Sequence, residues 1–352
     1  MQPESKTLII LSPGFPENEE DTTCLPAQQL FVRHLQQNFP EIRIIVLSFQ
    51  YPFKETTYQW NGVTVISFNG RNRGGLKRLL LWKRVWVKLN ALKKTNAVLG
   101  LFSFWCTECA LVGDYYARMN SKLHFTWILG QDARQENKFV KIIRPNGNSL
   151  VAMSDFLANE FEKNHKVRPH HIISNGIDPA DYSAYNGART IDVLGAGSLI
   201  PLKQYDLFIE LIAEVRKENP GIKAVICGKG PEENSLTGLI NRYKLQKNIS
   251  LAGEVSHAEV LRLMQRSKIF LHPSSYEGFS TVCLEALYAG VHVISFCKPL
   301  HKTIPHWHIV NSRHEMLDTL NGLLANHTVS HEAVMPFSMK DSAKSVMKLF
   351  GM

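Results

Sequence analysis

An α/β architecture, with doubly wound parallel sheets in two domains, is what this 352-residue sequence predicts. Three observations carry the expectation. Short β-prone runs, such as residues 7–11, 97–102, 191–195 and 224–227, alternate with helical segments along most of the chain. The length exceeds what one hydrophobic core comfortably serves. Between residues 179 and 189 a polar stretch without periodicity breaks the alternation and reads as an interdomain linker.

Composition is that of an ordinary globular protein. No run approaches the roughly 18 apolar residues of a spanning helix, and residues 1–6 lack a basic-then-apolar leader pattern. The expected location is therefore cytoplasmic. Six cysteines are scattered through predicted strands and helices, which suits free thiols in a reducing compartment. Cys106 and Cys109 form one C-x2-C pair with no second ligand pair nearby, so helix packing is favoured over zinc or redox use.

The net charge of +9 is concentrated. No Asp or Glu occurs between Thr56 and Thr107, yet nine basic residues lie there, and the remainder of the chain balances 31 basic against 31 acidic residues. A predicted helix over residues 75–90 carries most of this excess. On a helical wheel Leu79, Leu81, Trp82, Val85, Trp86 and Leu89 share one side; Lys77, Lys83, Arg84 and Lys88 face away, and Arg78 intrudes on the apolar side. Two readings stand for residues 71–94: a patch for an anionic membrane surface, or a domain helix with a cationic outer face. No nucleic-acid motif accompanies the charge, so nucleic acid is not an expected partner.

In order, the first strand at residues 7–11 runs into a loop where Gly14 lets backbone approach a ligand. A helix at 24–38 follows, then strands at 42–49 and 63–68, the basic helix, a strand at 97–102, a helix at 109–119 and a strand at 123–129. The second half opens with a strand and a small-residue loop, Gly195-Ala196-Gly197-Ser198, leading to Lys203 and a helix. Its Gly-Ala-Gly lacks the third glycine of a dinucleotide fingerprint, and Gly228-Lys229-Gly230-Pro231 lacks the Gly-Lys-Ser/Thr of a P-loop. His301, His306 and His308 have no supporting carboxylates and read as exposed histidines, so no metal set is assigned.

The most informative stretch is Pro273-Ser274-Ser275-Tyr276-Glu277-Gly278-Phe279-Ser280-Thr281, continuing through Glu285 to Gly290. A buried strand, a polar loop and a helix follow one another, with Ser280 or Thr281 able to cap and Gly290 to stop. The helix start is an anion site by its free N–H groups and dipole, and Glu277 and Glu285 would flank it.

This stretch resembles the donor-site signature of retaining glycosyltransferases of the GT-B fold, glycosyltransferase family 4. The turn at Asn175-Gly176-Ile177-Asp178, the Gly197-to-Lys203 loop and the Gly228 turn resemble further family motifs. The resemblance implies two facing Rossmann-like domains with a cleft: residues 1–178 with a crossover helix at 338–352, and residues 179–337. It implies transfer of a hexosyl unit, with retention and without a metal or cofactor, from a nucleotide diphosphate sugar to a hydroxyl of a glycan or lipid-linked acceptor. Together with this chemistry, the basic helix suggests a lipid-linked or membrane-proximal acceptor, as in cell-surface polysaccharide or glycolipid synthesis, with the chain peripheral on the inner face of the membrane. By the same resemblance Lys203 and Glu277 are the catalytic residues. Gly14, Gly197, Ser198, Gly228, Gly278, Phe279, Ser280, Thr281 and Glu285 bind the donor.

The chain also departs from the pattern. Ser198 stands where the motif has Arg and Gln204 where it has Gly, while Leu129 replaces a His ahead of Gly130 and Asp132. These departures leave open a sugar-nucleotide epimerase, or a catalytically weakened partner of another transferase.

Overall fold

The structure, a computed structural model, describes residues 6–301, 303–326 and 328–352. Residues 1–5, part of the leader reading, lie outside the described residues. Contacts divide the chain into a first unit, up to Gly176 together with Ser338–Met352, and a second unit, Ile177–Phe337.

The first unit begins with β1 (Lys6–Gly14), α1 (Pro26–Asn38), β2 (Arg43–Tyr51), β3 (Glu55–Trp60) and β4 (Val63–Phe68). It continues with α2 (Leu76–Thr95), β5 (Ala97–Phe104), α3 (Glu108–Asn120), β6 (Leu123–Ile128) and α4 (Lys138–Ile143). Then come β7 (Leu150–Ala152), α5 (Asp155–His165) and β8 (His171–Ile172). The sheet order is β3-β4-β2-β1-β5-β6-β7-β8, parallel except for the β3–β4 pair. Leu8 to Leu11 of β1 are wholly buried, as an unbroken apolar strand between two helical layers requires. The β3 strand is absent from the sequence reading, because an edge strand with alternating exposure and the polar sequence Glu-Thr-Thr-Tyr-Gln-Trp has no buried-strand signature.

Helix α2 is only partly as the wheel predicts. Leu81, Val85 and Leu89 are buried at i, i+4, i+8 against the sheet. The two tryptophans are committed to the protein: Trp82 Nε1 donates to Glu108 Oε2 at 2.9 Å, and Trp86 packs edge-on against Tyr116. Leu79 is a correction, being 54% exposed: at 3.6 residues per turn it lies roughly 160° from Leu81, at the edge of the predicted apolar arc and away from the buried stripe.

The second unit comprises β9 (Ile191–Ala196), α6 (Tyr205–Glu218), β10 (Ala224–Cys227), α7 (Glu233–Arg242) and β11 (Ile249–Gly253). There follow α8 (His257–Gln265), β12 (Ser267–His272), α9 (Thr281–Tyr288), β13 (His292–Ser295), β14 (Trp307–Ile309) and α10 (Arg313–Ala325). Its wholly parallel sheet runs β11-β10-β9-β12-β13-β14, so the chain winds outward from β9 in both directions. The strand order reverses between β9 and β12, and the loops leaving these two strands part there to open a crevice.

The polar stretch at 179–189 is not a free tether. Tyr182 stacks edge-on with Tyr288, and its hydroxyl donates to the Glu285 carbonyl at 3.0 Å. Arg189 donates to the carbonyls of Ser267 (2.5 Å) and Ala289 (2.6 Å), closing helix and strand ends of the second unit. Of the three histidines read as exposed, only His301 is. His306 and His308 are half-buried because β14 brings them onto His292 of β13, with ring centroids 4.4 and 5.4 Å away.

The final helix, α11 (Met339–Leu349), belongs to the first unit. Phe350 meets Phe125 at 5.0 Å, and the Ser342 hydroxyl donates to the Ser174 carbonyl at 2.7 Å. Backbone at Ser338–Met339 passes so close to Gly176 that an added Cβ would lie 2.3 Å from the Met339 nitrogen. Gly176→Ala is therefore expected to destabilise the chain by about 2 kcal/mol, as an overpacked site with no flexible neighbour to yield, measured as a lower urea midpoint.

Candidate active site

The carboxyl ends of β9, β10 and β12 carry the residues singled out in the second unit. After β9 the chain turns through Gly197 and Ser198 and a single 3-10 turn, Pro201–Lys203, before α6 begins at Tyr205. Gly197 has φ +149, and a Cβ there would stand 3.2 Å from the buried Tyr205 hydroxyl. After β10, Gly228 has φ +145, and a Cβ would fall 1.8 Å from the Gly197 carbonyl oxygen. A side chain at Gly228 is thus sterically excluded, and the two glycine loops run backbone to backbone.

Gln204 has φ 50 and ψ 48, the left-handed region. A glycine is the ordinary solution for that conformation. The motif's glycine is therefore a backbone requirement, which Gln204 meets under strain.

The loop after β12 is tied to this one. Ser275 N donates to the Leu202 carbonyl at 3.0 Å, and Ser274 Oγ to the same oxygen at 3.0 Å. The tie brings Lys203 and Glu277 together as an ion pair, with side chains 18% and 16% exposed. His272, the last residue of β12, adds a second contact, its Nε2 lying 3.2 Å from the same Glu277 oxygen. Since a carboxylate only accepts, Nε2 carries the proton and donates. Burial is the main cause that lowers the His272 pKa, so the imidazole is neutral at pH 7. For Glu277 burial acts in the opposite sense, but the His272 hydrogen bond and the Lys203 charge outweigh it and hold the carboxyl at about 2.

Ser280 stands at the N-cap position of α9, but its hydroxyl makes no capping bond and lies 3.4 Å from His272 Nε2. Phe279 is buried and packs edge-on against Phe337 at 5.7 Å, so it can offer a ligand only its backbone. Gly278 is buried, and Thr281 opens the helix. Glu285, one turn on, is bound by His257 Nε2 at 2.8 Å. Cys283 is buried in the apolar core, which raises its thiol.

The structure therefore gathers Gly197, Ser198, Lys203, Gly228, Glu277 and the start of α9 around one crevice mouth. Gly14 lies in the first unit, at the end of β1, where a Cβ would make ordinary contacts with Tyr51 and Cys24. Asp132 is buried and accepts from the backbone N–H groups of Cys106 (2.8 Å) and Gly130 (2.8 Å), which makes it a loop-fixing residue; burial raises its carboxyl to about 6. Sequence reasoning missed His272 and His257. Only the position of His272 between a buried strand and Pro273 hinted at it. Nothing local marked His257, twenty-eight residues from its carboxylate.

Two outcomes follow. Gln204→Gly relieves a left-handed side chain and is expected to raise stability by about 1 kcal/mol in urea unfolding. Because the folded Glu277 pKa lies below its ordinary value of 4.5, its stabilisation is present above pH 4.5 and lost as pH falls toward about 2. The stability gap between wild type and Glu277→Gln should then close across that window, by an amount on the order of 3 kcal/mol; a gap independent of pH would show that the charge is not what Lys203 and His272 hold.

Residues 187–304 match the family described as Glycosyl transferases group 1. The phosphatidylinositol N-acetylglucosaminyltransferase gpi3 subunit of Schizosaccharomyces pombe is 34% identical over 166 residues, 45% of this chain and 36% of that relative. The match thus spans about a third of the relative's length. HepE from Anabaena, solved in complex with UDP and glucose, superposes with TM-score 0.68 at 17% identity, covering 97% of this chain and 94% of its own. Sucrose-phosphate synthase from Thermosynechococcus elongatus gives TM-score 0.70 at 15% identity, covering 99% and 95%. The chain has the GT-B fold, and within it residues 187–304 are similar to the glycosyl transferases group 1 family.

Proposed function

We propose that the chain is a retaining, metal-independent glycosyltransferase that moves a hexosyl or N-acetylhexosaminyl unit from a nucleotide diphosphate sugar to an acceptor hydroxyl. The observation that carries the reading is the buried Lys203–Glu277–His272 group beside the start of α9. Cleavage of a sugar–diphosphate bond leaves negative charge on the departing phosphate. A fixed ammonium and a helix N-terminus answer that charge without reorganising. Lys203 supplies the cation that a metal would otherwise provide, which supports metal independence. The ionised Glu277 accepts hydrogen bonds from sugar hydroxyls, and Glu285 those of the ribose. No protein nucleophile is assigned; the acceptor enters on the face the diphosphate leaves, and the leaving phosphate takes its proton.

Ser198 removes one cation from the family motif. An exposed lysine, Lys229, sits on the neighbouring loop, its carbonyl accepting from Leu199 N at 3.0 Å, and is the candidate to supply that charge. The complex of HepE with UDP and glucose favours a UDP-sugar donor, and the S. pombe relative's name favours a phosphatidylinositol-type, lipid-linked acceptor and hence glycolipid synthesis. That the S. pombe relative is named as a subunit also favours a partner protein.

The test is a panel of UDP-, GDP- and ADP-sugars, with turnover followed by release of the nucleoside diphosphate and the product anomer read by NMR. Lys203→Ala and Glu277→Ala are each expected to lower kcat by about 10² to 10³, the scale of losing one preorganised charge partner. Turnover unchanged in both variants would overturn the assignment. An altered nucleotide sugar formed without acceptor would identify an epimerase, and donor binding without turnover a partner subunit.

A further inference from the structure

The strongest feature outside the second unit is the outer face of α2. With Leu81, Val85 and Leu89 packed inward, Leu76, Leu79, Leu80 and Val87 remain 79%, 54%, 58% and 59% exposed. Four large apolar side chains on one helix face are thus more than half exposed, whereas a solvated helix face is ordinarily polar. Two grooves flank the helix. Toward β3 and β4 lies one of about 710 Å³, whose wall carries Arg73, Lys77, Lys83 and Lys88 beside Leu80 and Val87. Toward α3 and α4 lies another of about 420 Å³, lined almost wholly by apolar groups, among them Trp82, Trp86, Tyr115 and Ile142. Lys83 borders both, so the two grooves and the ridge between them form one continuous surface.

Its electrostatics are one-sided. Of the carboxylates near it, Glu55 is taken by Arg84, and Glu108 is buried with Trp82, Gln50 and Arg78 around it. Among the described residues, Lys77, Lys83 and Lys88 have no carboxylate within ion-pair distance. A surface with long cationic side chains set around exposed leucines matches a bilayer interface, where phosphates meet the ammonium groups and acyl chains meet the leucines. A soluble polyanion would leave the apolar ridge in water, and an apolar peptide would leave the lysines without partners.

We propose that the α2 face docks the chain onto an anionic phospholipid bilayer, with Leu79, Leu80 and Val87 entering the headgroup–acyl boundary and Lys77, Lys83 and Lys88 on lipid phosphates. The tryptophans, although on the same helix, hold the first unit together and do not insert. The proposal does not depend on the chemistry assigned to the second unit.

The experiment is flotation of the full chain with vesicles of phosphatidylcholine alone and with 30% phosphatidylglycerol, about a typical anionic fraction, in 0.1 and 1 M salt. Binding is expected only to the anionic vesicles, weakened at high salt. Lys77→Glu with Lys83→Glu should lower the partition by more than tenfold, since each surface cation contributes about fivefold. Leu79→Ser with Leu80→Ser should lower it by at least tenfold with the charge intact. All four residues are exposed, so circular dichroism and Tm should match wild type, which keeps loss of binding separate from unfolding. Equal binding to neutral vesicles, insensitivity to either variant, or retention on heparin with no vesicle binding would each overturn the proposal.

Discussion

A carboxylate buried at the mouth of a parallel sheet has to be neutralised, and the second unit is arranged around how Glu277 is. The loops after β9 and β12 leave the sheet at the point where strand order reverses, so they diverge and expose whatever lies between them. Hydrogen bonds from Ser274 and Ser275 to Leu202 hold the loops together again at one place. That tie sets Lys203 against Glu277, and the end of β12 delivers His272 from below. Burial by itself would favour a protonated Glu277; an ammonium and a neutral imidazole N–H make the ionised form the stable one. The site is thus charged and pre-ordered before any ligand arrives.

The glycines nearby answer a different demand, room for backbone. Gly228 has none to spare, with the Gly197 carbonyl where its Cβ would be. Gln204 shows the converse, since a non-glycine residue holds a left-handed conformation there. Steric exclusion leaves no alternative to glycine, whereas an unfavourable dihedral is a strain of about 1 kcal/mol that the surrounding fold absorbs. The same distinction separates Gly14, whose surroundings within the first unit would accept a Cβ, from Gly176, where the Ser338–Met339 backbone forbids one.

In the first unit one helix serves two surroundings. The inner stripe of α2 is as apolar as any core helix, and its tryptophans are anchored to Glu108 and Tyr116. Its outer face keeps both cations and leucines, a mixture that water alone does not favour. No described helix is long and apolar enough to cross a membrane.

Alternation of strand and helix, and the uneven charge, were legible in the sequence because both are local: periodicity of 2 or 3.6 residues and the absence of acidic side chains over some fifty positions need no knowledge of the fold. The loop carrying Glu277 and Gly278 was legible for the same reason, being one continuous stretch with a recognisable motif. Tertiary structure decided what meets across the chain. Lys203 and Glu277 are 74 residues apart and His257 and Glu285 28 apart, and only the winding of the parallel sheet brings each pair into contact. Tertiary structure also decided which side of α2 is inside. A helical wheel puts Leu79 on the predicted apolar side, but it lies roughly 160° from Leu81, at the edge of that arc, and only the packing of Leu81, Val85 and Leu89 against the sheet shows which part of the arc is buried.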